Sequence, residues 1–211
     1  MNTCIDLFRY LEDINNKVIQ LGDNEMFFNE TKQTKYISLY IQRGLIIYYD
    51  SCLIIIFKGT STPFDIIYDA QFNKINNVHS GFTKAYDNCK HDLYSCINIL
   101  LHKYNKRKKD IDLVIVGHSM GAALAILFVC DLYSCKVKFK NIKVYSLCSP
   151  RIGNKKFTEY FINNICKYCD FYNIKNKRDF VRFLPPKIFN YSTIHYNEFF
   201  YKCQNHRHTL I

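Results

Sequence analysis

The sequence predicts an α/β fold: a mostly parallel central sheet with antiparallel edge strands and flanking helices. Three observations predict it. Residues 45–49 and 52–57 are apolar runs on either side of Asp50 and Ser51, the pattern of a tight hairpin. Residues 113–130 (LVIVGHSMGAALAILFVC) join a β-branched run to an alanine- and leucine-rich run through a glycine-bounded turn, which reads as buried strand, turn and helix. Strand-like and helix-like segments then alternate, as in βαβ units.

The remaining elements follow from periodicity. Residues 4–21 space Ile5, Phe8, Leu11 and Ile19 at roughly helical intervals, so an amphipathic N-terminal helix is expected. Residues 36–42 alternate like a strand. Residues 83–104 carry Tyr86, Cys89, Leu93, Ile97, Leu100 and Leu101 on one helical face, a helix of about five to six turns. A strand at 112–116, a helix at 120–133, a strand at 143–148, a helix after Gly153 and a strand at 171–175 come next, then a last pair of extended segments. No repeat or Pro/Gly/Ser linker divides the chain, so residues 1–211 read as one domain.

Composition narrows the classes. At 211 residues, 48% hydrophobic and 22% charged, a domain buries about 70% of its unfolded surface without help from disulfides or metal. A disulfide miniprotein, a collagenous chain and a disordered tail are excluded. The formal charge of +11 raises nucleic acid or an anionic membrane as partner. The excess is mostly Lys, in a chain rich in Asn, Ile, Tyr and Phe and without Trp, which is how an AT-rich coding sequence inflates Lys; no nucleic acid is expected. The one true charge run, residues 106–109 (KRKK), sits where a solvated loop would. Ten cysteines permit five disulfides, but the start MNTCIDLFRYLED has no apolar run preceded by basic residues and is not a secretory signal. The thiols therefore read as reduced and the compartment as intracellular, cytoplasmic. Residues 113–130 are long enough to be weighed as a membrane span, but a His-Ser pair between glycines argues against one.

Gly117-His118-Ser119-Met120-Gly121 is a GxSxG motif between a predicted buried strand and a predicted helix, the context a nucleophile elbow requires. The glycines remove side chains where strand folds back onto helix, and the serine emerges at the helix N-terminus, where backbone N–H groups face a developing oxyanion. Ser119 is the candidate nucleophile and the Met120 N–H one oxyanion donor.

At this point the sequence resembles the class 3, fungal-type triacylglycerol lipase family of α/β-hydrolases. Five blocks match in the family's order: residues 57–60 (FKGT), 78–82 (VHSGF), 117–125 (GHSMGAALA), 149–154 (SPRIGN) and 176–186 (NKRDFVRFLPP). The span runs from about residue 35 to the C-terminus, and five of the seven glycines fall inside the blocks. The resemblance implies an α/β-hydrolase-like fold, Asp179 as triad acid in the order Ser, Asp, His, and Thr60 as second oxyanion donor. An acid in that place holds the imidazole in the tautomer that accepts the serine proton.

The base is His206 or His208. In the family the histidine follows Asn or Asp and precedes an aromatic by three residues; His206 follows Asn205 but has Thr209 where the aromatic belongs, and His208 has neither. His206 is chosen, because residues two apart in an extended segment point to opposite sides and only one can face the serine. Residues 61–72 (STPFDIIYDAQF) correspond to the family's lid, with Ile66 where a Trp is usual. His79 and His118 receive no catalytic role.

A competing reading is zinc: Cys166 and Cys169 form a CxxC, with Cys203, His206 and His208 downstream, a gap longer than in common zinc modules. The expectation is instead a metal-independent serine carboxylester hydrolase that needs no cofactor. Its substrate would be a fatty-acyl ester of a glycerolipid, met at a transient membrane or lipid-droplet surface. The alternatives are phospholipase A1-type activity and an inactive lipid-binding or scaffold protein on the same fold.

Overall fold

The computed structural model describes residues 23–33, 38–59 and 72–201. At its centre is a seven-stranded sheet. In chain order the strands are β1 (Glu25–Gln33), β2 (Ser38–Tyr49), β3 (Cys52–Phe57), β6 (Asp112–His118), β7 (Ile142–Leu147), β8 (Asp170–Asn176) and β9 (Glu198–Tyr201), and they lie side by side in that order. A separate two-stranded ladder pairs β4 (Lys74–Ile75) with β5 (Val78–His79). The β1–β2 and β2–β3 pairs are antiparallel, and every pair from β3 to β9 is parallel. Parallel neighbours need crossovers. Helices α1 (Ser80–Lys103), α2 (Met120–Ser134) and α3 (Lys155–Tyr160) supply three of them, and α3 runs on through a π-type turn to Tyr168.

The hairpin forms where the sequence places it. Asp50 and Ser51 both have positive φ, 45° and 59°, the two-residue turn whose twist matches that of its flanking strands. The expected strands at 36–42 and 45–49 are one strand, β2, because Gly44 does not break it. A Cβ there would lie 2.1 Å from the Ile56 carbonyl oxygen and 2.4 Å from the Phe28 ring. The glycine makes room for Phe28 while pairing continues. Strand β1 was not expected: only Met26, Phe27 and Phe28 in it are apolar, since an edge strand has one pairing partner and less surface to bury. The expected helix at residues 4–21 lies outside the described residues.

Most of the core lies on one face of the sheet. There Leu53, Ile55 and Phe57 of β3 and Leu113 and Ile115 of β6 meet Phe82, Leu93 and Ile97 of α1, Leu124, Phe128 and Val129 of α2, and Phe157 of α3. The opposite face carries a smaller cluster built from strand residues alone, among them Leu45, Ile47, Ile56, Val116 and Leu147. Helix α2 buries its residues nearly all round, which explains why residues 113–130 resemble a membrane span by composition. Among the described residues no helix is long and apolar enough to cross a membrane.

Phe128 is fully buried between Phe57 and Tyr94, at ring-centroid distances of 5.9 and 5.8 Å. Phe128→Ala is expected to cost about 3–5 kcal/mol of stability, read as a lower urea midpoint at unchanged slope. A loss under about 1 kcal/mol would contradict the central place given to this ring.

Candidate active site

The carboxyl ends of the parallel strands share one edge of the sheet, where ligands bind in open α/β folds. Ser119 stands there, between β6 and α2, with φ 55° and ψ −121°. A β-branched or bulky residue would hold that backbone only under strain, and even a serine is uncommon in it. The contacts that impose it are short. A Cβ on Gly117 would lie 2.2 Å from the Gly121 carbonyl oxygen, and one on Gly121 would lie 2.3 Å from the Phe57 carbonyl oxygen. Strand, turn and helix can therefore meet this closely only with hydrogen at both positions. The Ser119 N–H donates to the Leu147 carbonyl at 2.9 Å, which ties the turn to the end of β7.

Ser119 is 1% exposed, and its Oγ makes no hydrogen bond among the described residues. It occupies the N-cap of α2 without bonding the helix, so the hydroxyl is not spent on capping. The carbonyl of Ser119 accepts the Ala122 N–H at 3.1 Å, closing the first turn. Met120 is the first helical residue, and the N–H groups of a first turn have no partner within their own helix. That leaves the dipole and donors of a helix N-terminus beside the hydroxyl.

On the β3 side, a Cβ on Gly59 would come within 3.1 Å of the His118 carbonyl oxygen, so the end of this block abuts the elbow. Thr60 lies outside the described residues, as do residues 61–71 of the expected lid.

Asp179 lies three residues beyond β8 on the same edge and is 7% exposed. Its Oδ1 accepts the Val181 N–H at 2.9 Å and its own N–H donates to the Asn176 carbonyl at 3.2 Å. The carboxylate therefore ties down the first residue of the short 3₁₀ turn Val181–Phe183 that follows it. Strand β7 separates β6 from β8, so the two backbones stand about 10 Å apart at about 4.8 Å per strand. That gap is too wide for direct contact, and a single imidazole is the kind of group that bridges it. His206 and His208 lie outside the described residues. The last described strand, β9, runs parallel to β8 and leads the chain to the same edge, with Tyr201 opposite Asn176.

Sequence reasoning assigned no role to Arg151, although it quoted the block containing it. The residue is 7% exposed in the turn after β7. Its guanidinium donates to the carbonyls of Phe183 and Pro185, the latter at 2.9 Å, and to Thr193 Oγ1 at 3.2 Å. Its backbone N–H donates to the Leu184 carbonyl at 2.6 Å. Burial lowers its affinity for the proton, yet a guanidinium stays charged in proteins. Arg151 thus holds three successive residues of the segment that begins at Asp179. Its partners are backbone carbonyls, which leave no mark in a sequence.

His79 is fully buried and belongs to the scaffold. Its Nδ1 accepts the Gly81 N–H at 3.1 Å at the start of α1, and its ring packs on Phe82 and Tyr191. His118 is also buried, paired with Leu147 across β6 and β7. Burial pushes the Cys166 and Cys169 thiols up to about 12 each, and raises Cys130 beside them. Among the described residues no group of three or more His, Cys, Asp or Glu is placed to hold a metal ion; Cys203, His206 and His208 lie outside them.

Comparison with known proteins agrees with this architecture. The chain is 29% identical over 146 residues to a lipase of Rhizopus niveus, covering 65% of this chain and 36% of that protein. It is 26% identical over 170 residues to a lipase of Rhizomucor miehei, covering 76% and 44%. A third relative, 29% identical over 124 residues with 59% and 38% covered, is a secreted mono- and diacylglycerol lipase of Malassezia globosa. The chain spans less than half the length of these relatives. Among solved structures, a lipase of Rhizopus microsporus var. chinensis superposes with a TM-score of 0.61 at 26% identity, covering 80% of this chain and 58% of that one.

These names overturn one expectation. The intracellular, cytoplasmic assignment does not stand, because a relative of this chain is named as secreted. That assignment was carried by the composition of the first residues, from which the state of the thiols was then read, so the thiols gave it no independent support. The family profile for Lipase (class 3) matches residues 54–189, well over half of the chain and every described part of the site, and the protein belongs to the class 3 lipase family.

Proposed function

We propose that the protein is a serine carboxylester hydrolase that cleaves fatty-acyl esters of glycerolipids through an acyl-enzyme on Ser119. The observation that carries the reading is the backbone of Ser119, held at φ 55° with its Oγ unbonded at a helix N-terminus. Strain of this kind, on the order of 1–3 kcal/mol, persists where the surroundings enforce it and is concentrated at functional sites.

In the proposed reaction His206 takes the Ser119 proton as Oγ attacks the acyl carbonyl carbon. The N–H groups of Met120 and Thr60 hold the oxyanion that forms. Collapse breaks the bond to the glyceryl oxygen, which leaves with the proton from the imidazolium. Water, deprotonated by the same imidazole, then attacks the acyl carbon; the acyl–Oγ bond breaks, Ser119 Oγ takes the proton back from the imidazolium, and the fatty acid leaves. Asp179 keeps the imidazole in its accepting tautomer and stabilises its charged form. Every step uses groups of the chain and water. The Malassezia relative's name supports mono- and diacylglycerols as substrates, and a further relative, of Arabidopsis thaliana, is named a phospholipase A1. Both are glycerolipid esters, and the same acyl transfer serves either.

Fluorophosphonate labelling tests the nucleophile and the base together. Wild-type protein is expected to label stoichiometrically, Ser119→Ala not at all, and only one of His206→Ala and His208→Ala to lose the label. Well-folded wild-type protein that fails to label would sink the hydrolase reading. Asp179→Asn is expected to lower kcat by about 10⁴, the cost of holding the wrong tautomer.

Arg151 is a positioning residue in this scheme, because it fixes the segment that presents Asp179. Arg151→Met leaves the Phe183 and Pro185 carbonyls without their donor. It should lower kcat on a soluble ester about 10- to 100-fold with KM nearly unchanged. A loss of thermal stability with kcat intact would reduce Arg151 to a structural role.

A further inference from the structure

The loop that begins at Asp179 leaves the same edge of the sheet as Ser119 and exposes apolar side chains. Phe180, Phe183, Ile188 and Phe189 are 51%, 52%, 86% and 45% exposed. Large exposed apolar groups gathered in one place mark an interaction surface. Their backbone is pinned from several sides: Arg151 holds the carbonyls of Phe183 and Pro185, and Asp179 holds the N–H of Val181. The Lys74 ammonium donates to the Phe189 carbonyl at 2.8 Å, and the Phe72 and Phe189 rings stack at 4.3 Å. These side chains are therefore held outward by a fixed loop.

Charge says what they face. Lys177 and Arg178, just before the apolar groups, and Lys187, among them in sequence, are exposed, and the Arg182 guanidinium lies 4.5 Å from the centre of the Phe183 ring. The one acid of residues 177–189 is Asp179, which is buried. We propose that residues 177–189 dock the protein on a lipid surface carrying anionic phospholipid, with Phe183 and Ile188 entering the interface and the cations meeting the head groups. Aromatic and aliphatic side chains among cations are what such an interface selects. A second copy of the chain fits poorly, because a symmetric contact would set these cations against themselves. The inference rests on the hydrolase reading: docking at this loop brings an ester-bearing surface to the edge that holds Ser119.

The test separates binding from turnover. Co-sedimentation in the Ser119→Ala background uses vesicles of phosphatidylcholine alone and of phosphatidylcholine mixed with phosphatidylglycerol. The mixed vesicles should bind about tenfold more tightly, with the preference lost at high salt. The double variant Lys187→Glu, Ile188→Ser should weaken that binding at least about tenfold while the same changes in the active enzyme leave turnover of p-nitrophenyl butyrate within about twofold. The sequence has no Trp, so Ile188→Trp supplies a sole indole, excited selectively over the tyrosines, whose emission should shift to the blue and be quenched by brominated phosphatidylglycerol. Equal binding to both vesicles, unchanged binding by the double variant, or an unquenched indole on bound vesicles would overturn the proposal. So would a dimer that Ile188→Ser disperses while vesicle binding is absent. Absence of p-nitrophenyl butyrate turnover in wild-type protein would instead fail the hydrolase reading and leave the vesicle result to be judged by itself.

Discussion

The approach of Gly121 to the carbonyls of Phe57 and Lys58 is the contact on which the site depends. It brings the first turn of α2 against the end of β3, and that closeness forces the chain at Ser119 to a positive φ. Burial along α2 offsets the strain. Leu124, Ile126, Phe128, Val129 and Leu132 are each 1% exposed or less, and each such side chain contributes about 1.5–3 kcal/mol when fully buried. The helix is held by its core residues, so its N-terminus can be dedicated to chemistry.

The same edge gathers the other parts for a topological reason. In a parallel sheet every strand ends on one side, so β3, β6, β7 and β8 each deliver a loop there. The loop after β6 supplies Ser119, the loop after β8 supplies Asp179, and the loop after β7 sends Arg151 across to brace the latter. Strand β9 joins the group through charge as well as backbone pairing. The Lys175 ammonium, buried in β8, pairs with Glu198 at the start of β9, and Glu198 also meets His195 at 3.1 Å. A buried ion pair of this kind is better evidence of register than of stability.

Much of this was legible in the sequence where one residue pattern has one structural solution. The LVIV run, glycine turn and apolar helix at residues 113–130 fold as read, and Asp50 and Ser51 make the turn that their neighbours imply. The strands read at 36–42 and 45–49 proved continuous, because Gly44 between them makes room for the Phe28 ring without ending the pairing. Strand β1 was missed because its second half, NETKQ, is polar, as an edge strand permits. The clamp by Arg151 was invisible because carbonyl acceptors belong to every residue alike. The pairing of Lys175 with Glu198 spans a loop of more than twenty residues, and no local pattern announces it. The compartment was misjudged because it was read from the composition of the first residues, whereas a relative of the chain is named as secreted.

The segment after β8 carries two demands at once, and its rigidity serves both. In the proposed reaction Asp179 must hold a fixed distance from the elbow, since an imidazole bridging to Ser119 would tolerate little displacement. Ile188 and Phe183, a few residues on, remain exposed against the hydrophobic effect, which favours folding them inward. A mobile loop would satisfy neither: its carboxylate would wander and its apolar side chains would collapse onto the protein. Bonds from Arg151 and Lys74, with the stack of Phe72 on Phe189, remove that freedom. Because the bonds end on backbone carbonyls, the side chains along the loop are left free to vary in chemistry while the backbone stays fixed. The position of the proposed triad acid and that of the proposed lipid-facing side chains are thus set by the same few contacts, and the surface can change its partner without disturbing the site beneath it.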